Sequence, residues 1–419
     1  AYQVNAQTAD SISLEKAVSI ALKNNYGIVT TKRNVEIAQM NNSWGNAGAL
    51  PTVKFNAMAS KSKNFYEDDD ISSTNLNGSV DLNWVLFRGF GIRIQKERLE
   101  NMEKMSEGNF AVVVENTIFS VILSYYNVLL SNERMTIAQN TMALSEDRYK
   151  KEQYRKELGS SVTYNLLQAQ NAYLRDKSDY LSAVSSYNNA QRQLNYLMAE
   201  PLENKYIYAD TFEADTSDFT FAGLSEKMLN NNNTLINQYV NLELARLQVK
   251  SAQSAYYPTV SMGVSGGYTN SETDYETMNQ MDRSSKGYNT SVNMSVSYTI
   301  FNGNSRKRAL QAAKIEREIA AVETEEMEQD LKNQLAQELE SYNVRKQILN
   351  VAAENLKAAE LNLELSREKY ENGTLNSFNF RDVQQLHKSA SLNYQNAVFD
   401  VIQSYYKLMQ LTGGIIEEY

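Results

Sequence analysis

The chain contains the same succession of motifs twice, and this tandem repeat limits its fold more than any other feature. Two tetrapeptides hold two of the three prolines in the sequence: LPTV (50–53) and YPTV (257–260). Further along, WVLFRGF (84–90) matches YTIFNGN (298–304), and at the same offset Gly159 matches Gly373. Two such halves predict a repeat architecture in which each half supplies the same set of elements.

The hydrophobic period in each half changes from that of a helix to that of a strand. Apolar residues recurring at three and four predict helices over 13–49 and 221–256, each ended by its proline. Beyond the prolines, apolar and polar residues alternate, which predicts β-hairpins over 52–87 and 259–301. The positions expected on one apolar face are Val53, Phe55, Ala57, Ala59, Val80, Leu82, Trp84, Leu86, Val292, Met294, Val296, Tyr298 and Ile300.

Apolar residues spaced by seven follow each hairpin. This spacing predicts coiled-coil helices over 90–156 and 305–371 and, after glycine turns, over 162–198 and 377–412. At about 1.5 Å per residue the longer helices would extend roughly 100 Å, too far for a compact globular domain. The sequence thus predicts a first repeat over 1–200, a linker over 201–220, a second repeat over 221–412 and a tail over 413–419.

Composition removes several classes of function. The 41 Lys and Arg against 50 Asp and Glu, a net charge of −9, argue against a nucleic-acid partner. The absence of cysteine and the single histidine leave little for thiolate or imidazole chemistry. We therefore expect no enzyme activity, no cofactor and no metal site. Ala1 is followed by no apolar signal segment, so we expect that any signal peptide has been removed.

The strands have the pattern of an outer-membrane β-barrel. Apolar and small polar residues alternate, and aromatic residues gather where strands meet helices: Trp84, Phe87, Tyr298 and Phe301. Four strands cannot close a barrel, whereas three chains would supply twelve. The alternative is an ordinary antiparallel sheet in a soluble α+β protein, which leaves the long helices unexplained.

The recurring motifs resemble those of the TolC-like outer-membrane efflux proteins over essentially the whole chain. They are SLEKAVSIALKNN (13–25), the corners ALPTV and YYPTV, the strand ends LFRG and IFNG, and the turns GSSVTYNLLQAQ and GTLNSFNFRDVQ. The resemblance implies an α+β homotrimer: a 12-stranded barrel in the bacterial outer membrane, continued by a 12-helix tunnel in the periplasm. It also implies two protein partners, a periplasmic adaptor and an inner-membrane transporter.

The resemblance further implies that the tunnel narrows near the two glycine turns. Gly159, Ser160, Gly373 and Thr374 would form the tips on which the adaptor docks. Tyr370 matches a latch tyrosine of the family, but the expected latch arginine is Leu375 here.

Two aspartates of the family latch are also replaced, by Asn165 and Asn379. Asp382 matches an inward-facing acidic position, and the adjacent Arg381 is a candidate to neutralise it. Our hypothesis is that Asp382 rings the constriction, with Asn165, Asn379 and Tyr370 as neutral latches. The alternative is that Arg381 and Asp382 form a solvated charge pair on a helix surface.

Two functions are compatible with these features of the sequence. The first is a passive exit duct of a tripartite efflux or type I secretion system. The second is a coiled-coil spacer that spans the envelope without a pore, which would share the heptads but has no need of lipid-patterned hairpins.

Overall fold

The computed structural model describes residues 11–66, 70–275 and 281–418. The first half contains β1 (Ser11–Ile12), α1 (Leu14–Asn24), α2 (Tyr26–Asn41), β2 (Thr52–Phe65), β3 (Asp70–Arg88), α3 (Gly91–Glu157) and α4 (Thr163–Leu197). After β4 (Ile207–Tyr208), the second half contains α5 (Phe221–Asn231), α6 (Asn233–Ser254), β5 (Thr259–Tyr275), β6 (Arg283–Ser297), α7 (Ser305–Glu371), α8 (Ser377–Leu411) and α9 (Ile415–Glu418). Both halves thus have the same order of long elements.

An asparagine divides each helix that was predicted to precede the proline. Asn25 separates α1 from α2, and its side chain accepts from the Gly27 amide at 2.9 Å. Asn232 separates α5 from α6 and accepts from the Leu235 amide at 2.9 Å. Each asparagine ends one helix and caps the next, so helices 13–49 and 221–256 are each two helices. In addition, α2 ends at Asn41, and residues 42–48 form bends and turns.

The segments predicted as linker and tail contain regular structure. Within 201–220, β4 pairs in parallel with β1. Within 413–419, α9 begins at Ile415, whose side chain is fully buried in a hydrophobic cluster. Both segments therefore pack onto the helices. Their short elements were not predicted, because elements of this size leave no periodic signal in the sequence.

The two hairpins join into one antiparallel sheet in the order β2-β3-β5-β6. The register shifts between Val85 and Phe87, so Phe87 rather than Leu86 lies opposite Val260. This β-bulge corrects the predicted alternation, since an extra residue reverses the faces beyond it. β6 ends at Ser297, so Tyr298 and Ile300 follow the strand instead of belonging to it.

One face of the sheet is apolar and the other is polar. Val296 lies opposite Val260, and Tyr268 packs on Tyr288 with ring centroids 5.1 Å apart. On the opposite face, the Asp81 carboxylate accepts from Ser265 at 2.5 Å and from Asn56 at 2.6 Å. Within the described part of the chain β2 and β6 are edge strands, each paired along one side only.

The chain divides into two compact units, and neither is one of the sequence repeats. Among the described residues, unit 1 comprises 11–33, 108–236 and 326–418, and unit 2 comprises 34–107 and 237–325. Each unit combines corresponding parts of both halves. The repeat boundaries 1–200 and 221–412 therefore describe the sequence and not two separately packed domains.

The core of unit 1 uses the predicted seven-residue spacing. Fully buried positions on the helices include Val121 and Val128 on α3, Leu335 and Tyr342 on α7, and Val401 and Leu408 on α8. Tyr149 on α3 also stacks on Tyr173 on α4 at 6.1 Å. α3 contains one stretch that is long and apolar enough to cross a membrane, and half of this stretch is buried inside the protein. We attribute its hydropathy to this core.

Candidate functional site

The two glycine turns of unit 1 have the same hydrogen-bond geometry. The Ser160 amide and hydroxyl both donate to the Arg155 carbonyl, at 2.8 and 2.9 Å. The Thr374 amide and hydroxyl likewise donate to the Lys369 carbonyl, at 2.9 and 3.0 Å. The preceding residues lie at positive φ, which favours glycine: Gly159 (72°) and Gly373 (75°). All four turn residues predicted as docking tips are exposed.

The predicted gate residues divide into an exposed group and a buried group. Asp382, Asn165 and Asn379 are exposed. Tyr370 is buried, with 2% of its surface accessible. Arg381 also points into the protein, with 14% of its side chain accessible. Within one chain, therefore, only the first three present free polar groups at the surface.

Tyr370 is held inside unit 1 by three neighbours. Its ring stacks on Phe380 with centroids 4.7 Å apart, and the Arg155 guanidinium lies 5.3 Å from the ring centre. Its hydroxyl donates to Glu152 at 3.4 Å. Burial raises the pKa of the Tyr370 hydroxyl, and the Glu152 carboxylate raises it further. The phenol therefore remains a neutral hydrogen-bond donor at neutral pH.

Arg381 forms a bidentate ion pair with Asp176 on α4. The two N–O distances are 2.6 and 2.8 Å, and the Asp176 side chain is 1% accessible. The sequence offered the adjacent Asp382 as the partner of Arg381. Successive residues on a helix do not face each other, so Arg381 reaches α4 while Asp382 is exposed. The alternative expectation, that Arg381 and Asp382 form a solvated charge pair on a helix surface, is therefore wrong.

Asp176 was not among the predicted site residues, although the sequence contains a signal for it. Asp176 lies three residues after Tyr173, whose ring stacks on Tyr149, and at the position that Ala390 occupies in the second half. Arg381 corresponds to Leu167 in the first half. A charge at an apolar seam position on α4 and another facing it on α8 together indicate a buried ion pair.

Arg148 on α3 is a second charged residue that was not among the predicted site residues. It is 4% accessible, and its Nη1 donates to the Ser377 carbonyl at 3.1 Å. Its Nε is buried and has no hydrogen-bond partner within the described ranges. Burial lowers the pKa of the Arg148 guanidinium, and the charge of Arg381 lowers it further.

The aromatic residues expected to form a girdle lie near the helix-side end of the sheet in unit 2. The Trp84 indole donates to the Ala49 carbonyl at 2.8 Å. The Arg306 guanidinium lies 5.9 Å from the centre of the Tyr298 ring. Phe301 and Tyr298 are exposed, and Phe87 is half-buried. This end of the sheet therefore combines aromatic rings with polar anchors.

Comparison with known proteins gives a family match over most of the chain. The family model described as "Outer membrane efflux protein" matches residues 17–200 and 224–414. The chain belongs to this family. Its two matched ranges correspond to the two sequence repeats. Membership identifies the protein as an efflux channel of the bacterial outer membrane, with its helices in the periplasm, and this family is one of channels rather than enzymes.

Individual relatives agree with the family. The cation efflux system protein CusC of Escherichia coli O157:H7 is 22% identical over 380 residues, covering 88% of this chain and 78% of CusC. The outer membrane protein TolC of Vibrio cholerae is 20% identical, covering 84% and 78%. A CusC crystal structure has a TM-score of 0.79 at 18% identity, covering 99% of this chain and 95% of CusC. The Campylobacter jejuni CmeC channel has a TM-score of 0.78 at 17% identity, covering 99% and 90%. These structures share the mostly helical α+β fold.

Proposed function

We propose that three copies of this chain form one exit duct, with a 12-stranded barrel in the outer membrane and a 12-helix tunnel in the periplasm. The observation that carries this proposal is the open four-stranded sheet in unit 2. Its edge strands β2 and β6 have 14 and 15 residues, and its apolar face is unpartnered in the described chain. Lipid leaves no water to satisfy strand edges, so a spanning sheet must close.

The strand directions support closure between copies. Neighbouring strands alternate in direction across the whole sheet. Strand β6 of one copy can therefore pair antiparallel with β2 of the next, and twelve strands from three copies keep the alternation unbroken. Bacterial outer-membrane barrels have even strand numbers and antiparallel neighbours, as this arrangement requires.

An exposed leucine stripe supports helix packing between copies in the same trimer. Leu167, Leu174 and Leu181 are spaced by seven on α4, and each is about half exposed in a single chain. A heptad stripe outside the core of its own chain is typical of a second coiled-coil seam. In the trimer this stripe would pack on a helix of the next copy.

The partners in this proposal are a periplasmic adaptor and an inner-membrane transporter, as in a tripartite efflux or type I secretion system. The exposed turns at Gly159–Ser160 and Gly373–Thr374 are the proposed docking tips. Because the two turns have the same geometry, they would give the adaptor two similar docking sites on each copy.

The proposed gate lies beside these turns. Asp382 is the proposed charged ring of the constriction, and Asn165 and Asn379 are the exposed neutral latches. Tyr370 and Arg381 act from inside the chain, since Tyr370 is buried, Arg381 is mostly buried, and both are bonded to other residues of unit 1. At the sheet, Trp84, Phe87, Tyr298 and Phe301 form the proposed aromatic girdle.

Conductance across a planar lipid bilayer tests the duct against the spacer. We expect discrete channel steps from the purified protein and a lower cation preference in Asp382→Ala, because a ring of carboxylates favours cations. Asp400→Ala is the matched control, since Asp400 is also an exposed acid on α8 but lies outside the proposed gate. Absence of channel steps would favour the spacer, and equal selectivity in both variants would remove Asp382 from the gate.

A further inference from the structure

A small pocket in unit 1 is lined by three arginines and by no acidic residue. Its volume is about 170 Å³, and Arg148 on α3, Arg175 on α4 and Arg381 on α8 contribute to its wall. The remaining lining residues are neutral: Tyr164, Asn165, Gln168, Asn171, Ala172, Ser377 and Phe378. The pocket is therefore large enough for a small ligand and has a wall of one charge sign.

Two of these arginines have no carboxylate partner. Arg381 is paired with Asp176, and Glu152 is 3.4 Å from Arg155. Among the described residues, Arg148 and Arg175 form no ion pair. Arg148 is also almost fully buried, with one guanidinium nitrogen unbonded. A buried charge without a direct ion-pair partner is costly. Asp176 and Glu152 offset the Arg148 charge only partly, so an anion in the pocket would stabilise it further.

The first turns of two long helices also line the pocket. Tyr164 and Asn165 belong to the first turn of α4, and Ser377 and Phe378 begin α8. Amide groups at a helix start carry partial positive charge and attract anions. Both helices have 35 residues, so each carries a full helix dipole with its positive end at the pocket.

The two helix starts differ in their caps. The Asn376 side chain caps α8 and accepts from the Asn379 amide at 2.8 Å. Its counterpart in the first half is Val162, which cannot cap, and α4 has no side-chain cap. No side chain of the described residues therefore caps the start of α4, at the place where the arginines gather.

We propose that this pocket binds a small oxyanion, such as a sulfate, a phosphate or a compact carboxylate. The oxygens would accept from Arg148 and Arg175 and from the start of α4. Because the pocket lies between α3, α4 and α8, the bound anion would tie these three helices together near the glycine turns. The proposal stands independently of whether the assembled protein conducts.

A comparison between the two halves shows that the coiled coil does not require these arginines. The repeat counterparts of Arg148, Arg175 and Arg381 are Asn362, Ser389 and Leu167. None of these three counterparts carries a charge. The arginines without a carboxylate partner, Arg148 and Arg175, therefore need a reason other than helix packing, and anion binding supplies one.

Isothermal titration of the detergent-solubilised protein with sodium sulfate tests the site, with sodium chloride at equal ionic strength as the reference. We expect saturable sulfate binding that is absent with chloride. Arg175→Gln, at an exposed position, should raise the dissociation constant about tenfold or more, because it removes a charged donor. Val162→Asp should abolish sulfate binding, because its carboxylate would occupy the start of α4.

Arg367→Gln is the matched control, because it removes the same charge from α7 and Arg367 does not line the pocket. It should leave the dissociation constant unchanged. Equal heats for sulfate and chloride would overturn the proposal. That result is expected if an acidic side chain of a neighbouring copy fills the pocket in place of an anion. Sulfate binding that both Arg175→Gln and Val162→Asp leave unaltered would also overturn it.

Discussion

The buried pair Asp176–Arg381 occupies two positions that are apolar in the repeat, which suggests a direct test of what the pair contributes to stability. Asp176→Ala should lower the free energy of unfolding by about 3–5 kcal/mol, because it leaves the Arg381 charge uncompensated. The double variant Asp176→Ala/Arg381→Leu introduces the residue types that the repeat has at these two positions, as in Ala390 and Leu167. Replacing a buried ion pair by apolar residues is often neutral or favourable, so its stability should return to the wild-type value or above. The midpoint of urea unfolding in detergent measures both.

Asp179–Lys388 provides a control on the same two helices. Its atoms are 2.6 Å apart, but the Asp179 side chain is 46% accessible. Asp179→Ala should therefore cost less than about 1 kcal/mol, as is usual for surface pairs. If the double variant at 176 and 381 were as unstable as Asp176→Ala alone, the pair would be contributing attraction that apolar packing cannot replace.

At the scale of elements, the matched glycines 89 and 303 should respond differently to the same substitution. Both have positive φ, 55° and 64°, so alanine costs about 1–2 kcal/mol at either position. At Gly89 an added Cβ would also overlap the Ser254 carbonyl oxygen and lie 2.8 Å from the Tyr257 Cβ, whereas at Gly303 it would meet nothing within 4 Å. We expect Gly89→Ala to reduce the yield of folded protein in outer-membrane fractions much more than Gly303→Ala. Equal yields would show that the backbone around Ser254 moves easily.

The same elements show what sequence can and cannot predict here. The long helices were predicted closely, because apolar residues repeat by seven across many turns. The break at Asn25 was missed, since its cause is a side-chain cap and not a change of period. The bulge after Val85 was missed because one extra residue leaves the composition of the strand unaltered. The Asp176–Arg381 pair and Arg148 needed the structure, since their partners are distant in sequence, although the departures from the repeat at 167 and 390 pointed to the pair.

At the scale of the whole molecule, the decisive contact joins β6 of one copy to β2 of the next. The chain contains no cysteine, so introduced pairs report this contact without background. Lys54→Cys places a thiol on β2, and a series on the polar face of β6, from Asn289→Cys to Ser295→Cys, samples the unknown register between copies. Because a disulfide forms only when the Cα atoms are within about 7 Å, we expect one or two of these pairs to cross-link.

Denaturing gels of oxidised outer membranes should show these cross-linked pairs as a covalent trimer, because each copy then bonds to both neighbours around a closed ring. The control is Ser73→Cys/Thr273→Cys, which joins paired residues of β3 and β5 within one chain and should migrate as a monomer. A ladder that extends beyond three copies would mean that the edges pair without closing at the trimer. No cross-link at any register would mean that β2 and β6 do not meet, and the shared barrel would then be wrong even though the family and the helical fold remain.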